Sequence, residues 1–147
     1  MAIPPAGRIL AVDWGEIRFG LALSDESQTI ATPLLTLTRR AGKRFPMPAF
    51  LALVEAHQPA GVVVGLPLTA EGTEGAAAGA ARELAERLAR RSGLPVELVD
   101  ERMTTARAHA AIREQEGSTR GRKGDVDALA AAVLLQGFLE RRRHERR

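Results

Sequence analysis

Four carboxylates stand where this chain could do chemistry: Asp13 closes the apolar run ILAV, Asp100 and Glu101 close VELV, and Asp127 opens the alanine-rich stretch VDALAAAVLLQGFL. Open α/β sheets collect ligands outside the carboxyl ends of their strands, which is where the first three would lie. Asp13 has two readings, a residue that merely turns the chain or a metal-binding carboxylate, and Asp127 is equally explained as a helix-start acid favoured by the dipole. Strand spacing does not choose between Asp100 and Glu101. Helical spacing puts Asp127 on the face of Ala130, Ala131 and Leu134, an apolar face that should lie against a sheet. An ionised carboxylate there needs a cation nearby. Converging acids repel unless a divalent cation holds them. Mg²⁺ and Mn²⁺ take oxygen ligands, and two such ions about 3.5 to 4 Å apart can activate a water and stabilise the leaving oxygen of a phosphodiester.

The elements that must position these acids are legible in outline. RILAVD and RFGLALSD are short apolar segments joined by WGEI, an antiparallel hairpin. TIATPLLTLTR reads as a third strand, with Pro33 suited to an edge or a bulge. After the polar stretch RRAGKRFPMP, Phe50, Leu53 and Val54 give the spacing of an amphipathic helix ending near Pro59. GVVVGLP is a β-branched run for a strand buried on both faces. A helix over 72–91 follows, with Ala81, Leu84, Ala85 and Leu88 on one face and Gly93 closing it. LPVELVD is the next strand, and Thr104 or Thr105 can cap a helix to about Glu114. QEGSTRGRKGD is a basic loop, after which Asp125 or a neighbour caps a last helix. The reading is a single α/β domain over 1–147: a mixed five-stranded sheet, three strands in an antiparallel meander and two parallel, with helices on both faces.

At 147 residues and 45% hydrophobic content, one such domain can bury its core without disulfides. The absence of cysteine excludes thiol catalysis and thiolate metal sites. There is no membrane-length apolar run and no signal-peptide pattern in MAIPPAGR, so the expectation is a cytoplasmic protein without a membrane partner. The net charge of +3 is unevenly spread: residues 1–101 carry −2, 102–124 carry +4, 125–140 carry −3, and the tail 141–147 carries +4. The first basic block, with Arg102, Arg107, Arg113, Arg120, Arg122 and Lys123, is tethered between Glu101 and Asp127, where phosphate contacts would supply affinity for nucleic acid. The tail extends the last helix, meets RNA, or keeps the C-terminus solvated. Aromatic residues are few, so Trp14 is the obvious candidate for base stacking, with hairpin packing the competing reading. His57, His109 and His144 have no ligand spacing.

Taken together, DWGEIRFG, VVGLPLTAEGTEG, DERMTT and KGDVDALAAAVLLQGFL resemble, in order and across residues 8–138, the motifs of the YqgF/RuvX family. The resemblance implies an RNase H-like (Holliday junction resolvase-like) fold and a nuclease dependent on Mg²⁺ or Mn²⁺. Members are described as candidate pre-16S rRNA nucleases maturing the 5′ end of 16S rRNA, and likeness to resolvases also led to a DNA-junction assignment. By motif, Asp13, Glu101 and Asp127 are the implied catalytic and metal-binding acids; here the resemblance chooses Glu101 over Asp100. Gly15, Arg18, Gly20, Thr69, Arg102, Thr104, Arg122 and Lys123 are the candidate substrate contacts, the two hairpin glycines lying close to an incoming phosphate and the basic residues 102, 122 and 123 coming from the charged segment between the acids. Two positions depart from the pattern: Thr69 stands where relatives often carry Asn, and Asp125 where a basic residue often precedes the last acid. The implied partner is structured RNA or branched DNA, and a homodimer is compatible with the reading. Two other classes compete. An ATPase of the actin and sugar-kinase type shares the opening hairpin but needs two large lobes, for which 147 residues are too few. A non-catalytic nucleic-acid-binding module is disfavoured because all three acids are present.

Overall fold

The computed structural model describes residues 2–40, 43–69, 71–101 and 126–145. Strand β1 (Ile9–Asp13) and strand β2 (Arg18–Ser24) form the antiparallel hairpin, with Asp13 opposite Gly20. Arg39 clasps its turn: the backbone N–H donates to the Ile17 carbonyl at 2.9 Å, and Nε donates to the Glu16 carbonyl. Strand β3 (Ala31–Thr38) pairs with β2 and forms one edge of the sheet. The register slips between Leu21 and Ala22, where the partners are Leu35 and Pro33, so Pro33 occupies both an edge and a bulge. A residue without an N–H is tolerated there.

Strand β4 (Gly61–Leu66) pairs parallel with β1, and strand β5 (Val96–Asp100) pairs parallel with β4, giving the order β3-β2-β1-β4-β5. Every residue of β4 is buried. A parallel strand covered on both sides has no use for alternation, which is why GVVVGL reads as a continuous apolar run.

Helix α1 (Met47–His57) stops at Gln58, which adopts φ +48° and donates its N–H to the Val54 carbonyl at 2.8 Å; Pro59 then prevents continuation. Helix α2 (Ala76–Ser92) buries Ala78, Ala81, Leu84, Ala85 and Leu88 and ends on Gly93 at φ +74°. Its start corrects the sequence expectation of residue 72. The Thr69 N–H donates to the Thr73 carbonyl at 2.9 Å, Leu68 bridges Glu74, and Gly72 has φ +83°, so the segment is a turn until Gly75. Helix α3 (Val126–Glu145) is the last described element. The expected helix over 104–114, the basic loop and the Asp125 cap lie outside the described residues.

Strand parity sorts the core into two layers. Leu10, Val12, Leu21, Val62 and Val64 pack with Phe50 of α1 and Leu84 and Leu88 of α2. Ile9, Ala11, Ala22, Val63 and Val99 pack with Ala131, Leu135 and Leu139 of α3 on the other face. The small residues of the second layer bring α3 close to the sheet. Ala130 is a correction: it is exposed, and the buried face of α3 runs through Ala131 and Leu134 instead.

Candidate active site

Alternation along β1 sends Ile9, Ala11 and Asp13 to the α3 side, so the chain that builds the core also aims the Asp13 carboxylate at α3. The same parity decides between the two acids after β5. Leu98 packs with the α1/α2 layer and Val99 with the α3 layer; Glu101 continues the side of Val99 and lies beside Leu134 of α3 near Gly65.

Gly65 makes the meeting of acids feasible. It lies in β4, between β1 and β5, and a Cβ built on it would stand 2.5 Å from Glu101 Oε1 and 3.0 Å from Leu134 Cδ2. With no side chain in the way, the Glu101 carboxyl reaches across β4 and hydrogen-bonds to Asp13. Sequence reading passed over Gly65, although a lone glycine inside a β-branched run signals close approach.

The electrostatics follow from this contact. Burial, the hydrogen bond shared with Asp13 and the charges of Asp13 and Asp100 push the Glu101 carboxyl up to about 8. Burial raises Asp13 above the ordinary carboxylate range, the hydrogen bond with Glu101 opposes that shift, and the charge of Asp127 adds to it. Two half-buried carboxyl groups thus share a proton near neutral pH. A divalent cation is the other species able to relieve the repulsion, and the all-oxygen donor set suits Mg²⁺ or Mn²⁺.

Asp127 is in the first turn of α3, on the sheet side, and its Oδ2 is 3.2 Å from Arg18 Nε. This is the cation that a carboxylate on that face requires, and Arg18 shares the cleft formed by Gly15, Glu16, Ile17, Thr38 and Asp127. The ion pair is largely solvated and contributes under about 1 kcal/mol. Among the described residues no three acids close to the spacing of one metal site; Asp13 and Glu101 meet, and the Asp127 carboxylate is engaged by Arg18.

Other expected contacts separate on the structure. Gly15 packs against the Arg18 carbonyl, 2.3 Å from where a Cβ would sit, so its role is to close the hairpin turn. Gly20 corrects the expectation of a phosphate approach: the space over it is filled by the backbone of Asp127, 1.8 Å from the would-be Cβ to its carbonyl oxygen. Gly20 is the seat on which the first turn of α3 rests. Thr69 spends its hydroxyl internally, 2.6 Å from Thr73 Oγ1 and accepting from the Thr73 N–H at 3.1 Å. Trp14 packs against the α1/α2 layer, away from the acid pair. Arg102, Thr104, Arg122 and Lys123 lie outside the described residues.

The family model and the curated relatives agree on one family. The family model described as "RuvX: Holliday junction resolvase" matches residues 7–141. A protein of Anaeromyxobacter sp. (strain Fw109-5) named "Putative pre-16S rRNA nuclease" is 45% identical over 135 residues, covering 92% of this chain and 98% of that protein. A protein of the same name from Koribacter versatilis (strain Ellin345) is 43% identical over 136 residues, covering 92% of this chain and 88% of its own length. Among solved structures, T. thermophilus RuvC in complex with a Holliday junction substrate superposes with a TM-score of 0.65 at 17% identity, covering 93% of this chain and 96% of that one. This last likeness is one of fold, and it fits the RNase H-like sheet expected from the motifs. With a family model spanning almost the whole length and relatives above 40% identity, the chain belongs to the RuvX family.

Proposed function

We propose that this chain is a divalent-metal-dependent nuclease that hydrolyses phosphodiester bonds in precursor 16S rRNA, with Asp13, Glu101 and Asp127 as its metal-binding acids. The observation that carries the reading is the Asp13–Glu101 pair closed across Gly65, two half-buried carboxyls hydrogen-bonded to each other, in a chain whose relatives are named nucleases. A bound cation supplies Lewis acidity and neutralises charge developing on the phosphodiester. The chain's residues do the rest. Asp13 and Glu101 present their oxygens on one side of the sheet end, Leu134 limits water beside Glu101, and Arg18 orients Asp127 toward the cleft while offering a guanidinium to a substrate phosphate. Arg102, Arg122 and Lys123 carry further positive charge in the segment that joins Glu101 to Asp127.

The test is cleavage of a precursor-rRNA fragment with Mg²⁺ or Mn²⁺. Asp13→Asn should lose at least about a hundredfold in rate with its melting temperature retained, a loss typical of removing a directly acting group; full activity in that variant would overturn the assignment. A second reading, resolution of branched DNA, is favoured by the description of the family model. A four-way DNA junction assayed beside the rRNA fragment at matched salt separates the two, since salt alone changes affinity by orders of magnitude.

A further inference from the structure

On the sheet face opposite α3, a groove of about 510 Å³ opens between the β1–β2 hairpin, residues 44–45 and α2. Its apolar wall is Trp14, Phe19 and Phe45, the two phenylalanines packed edge to face with centroids 4.8 Å apart. Its rim carries Arg44, Arg87 and Arg90. Arg39 also lines it, with its guanidinium donating to the carbonyls of Glu16 and Lys43.

The groove also holds Glu83 and Glu86, each placed four residues before an arginine of α2, the spacing at which a helix pairs such charges. Among the described residues none of the three rim arginines forms an ion pair, and Arg87 is half-buried. Guanidinium groups gathered on one rim without an ion-pair partner are matched by an anionic ligand. Counting Arg39 and Glu16, four cations face three acids, so the groove keeps a positive excess.

An aromatic ring beside guanidinium groups is the combination that holds an unpaired nucleotide, with the base on the ring and the phosphate on the cation. Trp14 directly follows Asp13, the last residue of β1, so the groove opens at the same end of the sheet as the acid pair, on its other face. We propose that this groove binds the single-stranded flank of the RNA substrate, stacking a base on Trp14 and placing its phosphates on Arg44, Arg87 and Arg90. The continuity with a scissile strand rests on the nuclease reading above; binding in the groove does not.

Trp14 is the one tryptophan of the chain, so its fluorescence reports on the groove alone. In chelator, where no cleavage occurs, single-stranded oligouridylate added to the full chain should quench Trp14 emission saturably. The double variant Arg87→Ala, Arg90→Ala should weaken that binding about tenfold and lower the slope of log affinity against log salt by about 1.4, as loss of two single-strand phosphate contacts requires. Neither side chain belongs to the buried face of α2 and the melting temperature should not move. Unquenched Trp14, equal affinity in the double variant, or equal quenching by an RNA duplex would each overturn the proposal. Quenching without metal-dependent cleavage would sink the nuclease reading and leave the groove standing; cleavage with an unresponsive Trp14 would do the reverse.

Discussion

Among the described residues, Glu101 is the one whose titration its surroundings alter most. In the unfolded chain it titrates near the ordinary glutamate value of about 4.3, whereas beside Asp13 it is pushed up to about 8. A raised carboxyl means that folding takes up a proton between those two values. The stability it contributes is therefore complete below the unfolded value and is lost as pH rises through about 8. Asp13, also raised, adds to the same trend. Chelator-treated protein should melt at a lower temperature at pH of about 8.5 than at about 6, Glu101→Gln should flatten that dependence, and Mg²⁺ should restore the melting temperature at the higher pH. A wild-type profile in chelator that rises over this window would contradict the shared proton.

Glycine positions decide how the elements meet. An alanine at Gly20 places its Cβ 1.8 Å from the Asp127 carbonyl oxygen, and main chain cannot swing aside. Gly20→Ala should lift the start of α3 and cost roughly 3 kcal/mol in urea unfolding, at the upper end of overpacking effects. Gly65→Ala is the informative contrast, since its Cβ meets movable groups, the Glu101 carboxyl and the tip of Leu134. It should lose less stability yet abolish the rise in melting temperature with Mg²⁺, because Glu101 is pushed off Asp13. Equal responses to Mg²⁺ in Gly65→Ala and wild type would show that the carboxyl does not need that gap.

At the scale of the molecule, α3 is tied to the far edge of the sheet by one buried side chain. Gln136, 4% exposed, accepts from the Ala31 N–H at 2.9 Å and donates from Nε2 to the Thr29 carbonyl at 3.0 Å. The contact sets how α3 lies over β3, and through the length of the helix where Asp127 falls relative to Arg18 and Asp13. Gln136→Leu leaves the buried Ala31 N–H and the part-buried Thr29 carbonyl without this partner and should cost roughly 1–3 kcal/mol, seen as a lowered melting temperature. Cleavage should fall with it at temperatures where the protein is still folded, because the register of α3 is loosened.

Local pattern accounts for much of the described elements: ILAVD and RFGLALS are strands because apolar residues line both faces, α1 stops just before Pro59, and α2 follows its apolar spacing to Gly93, although it starts at Ala76 and not at 72. The sequence also put forward three acids, of which the structure joins Asp13 to Glu101 and pairs Asp127 with Arg18; choosing Glu101 over Asp100 required either resemblance or the parity of β5. It could not foresee that Gly20 serves the packing of α3, that Gly65 clears a path between two carboxyls, or that Thr69 turns its hydroxyl onto Thr73. Those outcomes depend on which strands lie side by side and on how closely a helix approaches them, contacts made between residues dozens of positions apart. Periodicity reports which face of an element is buried; only the assembled sheet decides what waits on the other side of that face.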